Sequence, residues 1–259
     1  MSRHRAKQRA GERTRSGSPA DALRKATPSR IAAVDTLRGS ALCLMFVYHF
    51  SFDLRYYRVI AADFEHDPFW LGFRALIVAT FMTLVGISLV LAYRAGATPA
   101  HFWKRIGVIA ACAILASAGS FVLFPRTFIY FGILHCIAVA SILAWPAVRS
   151  PRVALVVGIG VIIAGWTLSD SLFDTRALSW IGFTTHKPAT EDYVPLAPWT
   201  GFVLVGIALG QALARRAWRP LAPLARAPRW LRFLGRHSLV VYMVHQPILL
   251  AVLWVFAGR

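Results

Sequence analysis

The chain of 259 residues is poor in charge and poorer still in acids: 15% of its residues are charged, and 11 Asp and Glu stand against 29 Lys and Arg. So little charge beside 57% hydrophobic residues and a mean hydropathy of +0.56 excludes a soluble domain and describes a polytopic membrane protein. Cysteine is scarce as well. Cys43, Cys112 and Cys136 all fall within apolar segments, a setting unsuited to a disulfide framework or a cysteine metal site. No two histidines have metal-ligand spacing within one helix, so no metal is expected. No alternating pattern suggests a β-barrel, and no internal duplication suggests a transporter built from paired repeats.

What the sequence does have is apolar stretches long enough to span a bilayer, at about 31–54, 70–93, 106–124, 127–147, 152–169, 197–214 and 237–257. The expected fold class is therefore all-α, a polytopic transmembrane bundle of about seven membrane-spanning helices, because lipid-exposed backbone must satisfy its own hydrogen bonds. Residues 1–29 are polar, basic and rich in Ser, Arg and Ala, and read as a disordered cytoplasmic tail preceding a membrane domain over 30–259.

The net charge of +18 follows the membrane, not a nucleic-acid groove. With the N-terminus inside, 22 of 29 basic residues fall on the cytoplasmic side and 8 of 11 acids on the other, which after seven crossings leaves the C-terminus outside. The basic loops suit anionic lipid headgroups or the phosphates of a cytosolic donor. No nucleic-acid partner is implied.

Ionisable residues within a span are costly and point to function. The first apolar segment (RGSALCLMFVYHFSFD) carries three: Arg38, His49 and Asp53. Eleven residues are nearly three helical turns, so Arg38 and His49 share a stripe roughly 16 Å apart along the axis, with Asp53 a turn beyond. Coenzyme A carries phosphates at one end and a thioester at the end of a long arm. Arg38 at the mouth would hold phosphate; His49, deeper, would move a proton, with Asp53 orienting it as the third member of a triad does. The bland alternatives are Arg38 paired with Asp35 at a cytoplasmic flank, and His49 with Asp53 as a structural hydrogen-bonded pair.

His135, a third of the way into the fourth span, and His245, in VYMVHQP near the middle of the last, could line the same cavity and contact the donor. Alternatively, each simply bonds a neighbouring helix. In the connection 170–196, Trp180, Tyr193 and Trp199 could stack on a sugar and Glu191 and Asp192 could bind its hydroxyls or amine, the alternative being an aromatic interface belt. Gly206, Gly210, Gly86 and Ser88 read as close-packing positions.

The stretch IAAVDTLRGSALCLMFVYHFSFD, the segments FMTLVGISLVLAY and FGILHCIAVAS, and LGRHSLVVYMVHQPI together resemble the heparan-alpha-glucosaminide N-acetyltransferase catalytic-domain family, catalogued in bacteria as the domain of unknown function DUF1624. The Arg38-to-His49 spacing is also similar to the motif of acyltransferase family 3. Both resemblances imply a membrane-bound acyltransferase of the cell envelope, in a bacterium the inner membrane. Acetyl-CoA or another acyl-CoA would be the donor and co-substrate, and a sugar, aminosugar or glycan the acceptor. Animal lysosomal members carry an active-site histidine in the loop after the first helix, followed by Trp and Gly; here FEHDPFWLG offers His66, Trp70 and Gly72 as the match. Many bacterial relatives instead carry the histidine equivalent to His49, which ranks His49 above His66. The rival classes are a transporter or proton-relay protein, since buried His, Asp and Arg also build relays, and a non-catalytic scaffold.

Overall fold

The computed structural model describes residues 31–257; the N-terminal segment expected to be a disordered tail lies outside them. Each apolar stretch contains a helix: α1 (Ala32–Tyr56), α2 (Pro68–Arg94), α3 (Pro99–Leu123), α4 (Ile133–Ala144, continued by a 3-10 turn at Trp145–Arg149), α5 (Pro151–Thr167) and α6 (Leu196–Arg215). A 3-10 segment (Arg219–Arg226) and the short α7 (Arg229–Arg236) then lead to α8 (Ser238–Ala257). Starts are set by local chemistry. The Asp67 carboxylate accepts from the Phe69 N–H at 2.8 Å, the Thr98 hydroxyl accepts from the His101 N–H at 3.3 Å, and each cap is followed by a proline at the first helical position.

By length and apolar composition, four of these helices can cross a membrane: α2, α3, α6 and α8, so the chain is read as an integral membrane protein. α4 with its 3-10 turn and α5 are apolar but shorter. α1 is as long as α3, but Asp35, Arg38, Asp53 and Arg55 dilute its apolar character. The four fully qualifying helices fall short of the seven spans expected from sequence.

α2 and α6 form the centre. Their apolar windows are 61% and 67% buried within the protein, whereas that of α8 is 11% buried and presents Val240, Val244, Ile248 and Val252 outward. Gly86 of α2 lies against the backbone of Val203 and Ile207, and Gly206 of α6 against that of Thr83. A Cβ at either position would collide with the opposing chain. The close-packing expectation thus holds for Gly86 and Gly206, as for small residues between membrane helices generally.

The fourth stretch departs from the sequence expectation, because α4 begins at Ile133 rather than near 127. The preceding residues are a turn and irregular backbone that pair with the connection before α6: Glu191 N–H donates to the Thr127 carbonyl at 2.8 Å, and Phe131 bridges Tyr193. Long-range pairing thus overrides an apolar run that by itself reads as helix.

Candidate functional site

One end of the bundle is basic. Asp35, 1% exposed on α1, is paired with Arg38 at 3.0 Å and with Arg236 of α7 at 3.5 Å. Gly39 and Gly235 let α7 cross α1 in backbone contact, which fixes this arrangement. Arg38 also donates to the Ser88 hydroxyl at 2.5 Å, so Ser88 positions the arginine rather than merely admitting a neighbouring helix.

Arg38 opens onto a cavity of about 460 Å³ walled by α1, α2, α3, α4 and α8. Its polar lining comes from Arg38, Ser88, Ser238 at the start of α8, and three residues of the first turns of α3: His101, Lys104 and Arg105. Phe81, Leu84, Val85, Ile109, Ile133 and Leu134 make the remainder apolar, and Tyr242 closes it on α8. Ile133 and Leu134 open α4 at the opposite end of the bundle from the start of α3, so the cavity runs inward from its cations. Lys104 and Arg105 belong to the basic loops that the sequence could assign only to lipid headgroups or a donor's phosphates, without singling out either residue. The HFWKR run just after the Thr98–Pro99 helix start was the signal that could have singled them out as lining residues.

One turn beyond Tyr242 on α8 stands His245, whose ring centroid lies 5.3 Å from that of Tyr242 and 5.0 Å from that of His49. The two histidines meet at 63°, edge to face, with Phe46 stacked on the other side of His245 at 5.8 Å. The structure therefore brings His49 and His245 together. Asp53 is on the same seam, buried at 2% exposure, but its carboxylate accepts from the Gln246 amide at 2.9 and 3.1 Å and not from His49. The triad geometry expected for Asp53 is absent: the facing helix α8 places Gln246 where it reaches both carboxylate oxygens.

His135 sits elsewhere. Its Nδ1 accepts from the Gly132 N–H at 3.3 Å, which leaves Nε2 to donate to Ser117 Oγ at 3.4 Å, and that hydroxyl donates to the Ile129 carbonyl at 2.6 Å. Both ring nitrogens are thus used in fastening the start of α4, and His135 does not line the cavity. His66 is displaced too. Its ring, 82% exposed, lies 3.0 Å from Asp63 in the loop before α2 and takes no part in the histidine pair. Hydrogen bonds from the Glu65 and His66 N–H groups and from the His66 ring hold the Asp63 carboxyl below its ordinary range.

The connection before α6 is mostly scaffolding. Trp180 donates to the Ala177 carbonyl at 2.7 Å, the buried Tyr193 to the Ser179 carbonyl at 2.7 Å, and Trp199 stacks on Phe202. Asp192 accepts from the Ile133 N–H at 2.8 Å; burial raises its carboxyl above the ordinary range against the pull of that hydrogen bond and of Arg74. Glu191 accepts from the Thr127 hydroxyl. Among the described residues no cluster of His, Cys, Asp and Glu could hold a metal.

The cavity can thus take a molecule with anionic groups at one end and a slender apolar arm; like His135, neither His49 nor His245 lines it, and their imidazole pair stands one turn along α8 from the lining residue Tyr242. The family model described as Heparan-alpha-glucosaminide N-acetyltransferase, catalytic, matches residues 30–247, which includes both ends of this site. No curated protein and no solved structure matches the chain.

Proposed function

The chain belongs to the heparan-alpha-glucosaminide N-acetyltransferase catalytic family, and from that premise we propose that it is an integral membrane acyltransferase. It takes an acyl group, in the first instance acetyl, from cytosolic acyl-CoA and delivers it to a sugar or aminosugar on the outer side. The observation that carries this reading is the cavity with Arg38, Lys104 and Arg105 at one end and the His49–His245 pair a turn beyond the other. The donor's phosphates stay with the cations, where guanidinium and ammonium groups bind them by charge-assisted hydrogen bonds. Its arm lies along the apolar wall and carries the thioester to the imidazoles.

A neutral imidazole takes the proton of the acceptor hydroxyl or amine as that atom attacks the thioester carbonyl. The C–S bond then breaks and the imidazolium returns the proton to the departing thiolate, so that CoA leaves as the thiol. A base placed in this way contributes roughly 10² to 10⁴ in rate. In this reading all seven apolar helices cross the membrane, with α4 and α5 as thin spans and α1 sheltering its charges against α2, α7 and α8. The N-terminus and α7 are cytoplasmic and the C-terminus is outside.

Titration of the purified protein with acetyl-CoA tests the donor half. Saturable binding that weakens at least tenfold in Lys104→Gln/Arg105→Gln, with unchanged thermal stability, is the expected result. Absence of binding, or binding indifferent to both cations, refutes the assignment of the cavity.

A further inference from the structure

We infer that His245, through its Nε2 atom, is the base that takes the acceptor's proton, and that His49 is the group facing it rather than the base itself. The inference rests on the acyl-transfer reading and assigns one role within it.

Its first support is the tautomer. His245 Nδ1 is hydrogen-bonded to the Tyr242 carbonyl, one turn back on α8. A carbonyl can only accept, so Nδ1 carries the hydrogen, and in the neutral ring the lone pair is on Nε2. The backbone thereby sets which nitrogen is basic, as second groups do for catalytic and metal-binding imidazoles.

The second support is that this lone pair has nothing to bind. Nε2 is buried and has no hydrogen-bond partner among the described residues, on a side chain only 8% exposed. Buried imidazole nitrogens are ordinarily satisfied, as both nitrogens of His135 are in the same bundle. An orphaned acceptor aimed into the interior marks a place kept for a donor that arrives with the substrate. An acceptor O–H or N–H supplies that donor, and its proton passes to Nε2 in the step described above.

The third support is position. Tyr242, which closes the donor cavity, also carries the carbonyl that fixes the His245 ring, so the base is tied to the wall against which the thioester comes to rest. His49 meets His245 ring against ring at 5.0 Å, half-buried and next to Tyr48. The groups around the pair are Phe46 and Tyr48 from α1, Tyr242 from α8, the Asp53 carboxylate already engaged by Gln246, and one cation from α2, the Arg74 guanidinium, which donates to the Tyr193 carbonyl and whose charge reaches His49. His49 thus stands in edge contact with the ring on which the new imidazolium forms.

The test is acetyl transfer by the purified protein to a panel of aminosugars, comparing wild type, His245→Gln and His49→Gln, with acetyl-CoA binding measured on each. The expected result is a loss of 10² to 10⁴ in kcat for His245→Gln with donor binding within threefold of wild type. The acid limb of the kcat/KM pH profile should vanish in His245→Gln and persist in His49→Gln, a difference that a merely structural role would not produce. Retention of the limb and of kcat within tenfold in His245→Gln, while wild type is active, overturns the assignment of the base and leaves acyl transfer standing. Wild-type protein that binds acetyl-CoA but acetylates nothing overturns both.

Discussion

Replacing Arg38 by methionine should damage the protein in two separable ways, because Arg38 serves both the fold and the cavity. Its guanidinium neutralises Asp35, which is 1% exposed, and it lines the cavity. Removing one member of a buried ion pair ordinarily costs about 3–5 kcal/mol, since the remaining charge is stranded. Arg236 remains at 3.5 Å from the same carboxylate, with a side chain 52% exposed and free to approach, so the loss should fall at the low end, about 3 kcal/mol. A phosphate that loses a charge-assisted hydrogen bond forfeits roughly 1.5–3 kcal/mol, or about ten- to hundredfold in Kd. The double variant Asp35→Asn/Arg38→Met removes the stranded charge as well. Most of the stability should then return, read as the midpoint of thermal unfolding in detergent, while acetyl-CoA affinity stays low, read by calorimetry. Should affinity return with stability in the double variant, Arg38 acts on the donor only through the fold and the phosphate assignment is wrong. An unaltered unfolding midpoint in Arg38→Met would refute the pairing itself.

Other perturbations test other parts of the structure. Gly206→Leu should cost about 1–3 kcal/mol or more and lower the unfolding midpoint, because its Cβ would strike the Thr83 backbone; Gly72→Leu, with open space around it, should not. Gln246→Leu strips the buried Asp53 carboxylate of its amide partner and should destabilise by about 1–3 kcal/mol, with Asp53→Asn/Gln246→Leu recovering part of the loss in the same unfolding assay. The Asp174 carboxyl is held below its ordinary range, chiefly by the Thr185 hydroxyl and also by the Thr185 N–H. Its contribution to the order of the 170–185 connection is thus fully present above the ordinary carboxylate pKa and is lost as pH falls through the lowered one. Protease cleavage of that connection should increase only on the acid side of that range, and at neutral pH in Asp174→Ala.

The apolar segments were legible because hydropathy over some twenty residues is a local property, and each such segment contains a helix. The stripe from Arg38 to His49 was legible for a similar reason, since helical periodicity alone fixes it. Its partners were not. Ser88, Lys104 and Arg105 join Arg38 only because α2 and α3 fold beside α1, and nothing in a single helix says which neighbour a serine or lysine will face. Asp53 read as the partner of His49 because four residues make one turn, yet the facing helix supplied Gln246 as a better-placed donor. His245 was visible as a histidine within an apolar segment, but its tautomer depends on a backbone carbonyl and its role on an empty nitrogen, neither of which a sequence displays. The start of α4 was misplaced for the converse reason, because residues 127–132 are apolar enough for a span but are held out of the helix by pairing with residues 190–194.

The most direct measurement is the transfer of label from acetyl-CoA to an aminosugar by the purified, monodisperse protein in detergent. Acetylated sugar should form in step with released CoA thiol, dependent on protein and reduced at least a hundredfold in the His49→Ala/His245→Ala double variant. Acetyl transfer that survives loss of both imidazoles would contradict the site, and stable binding of acetyl-CoA without any turnover would contradict the reaction.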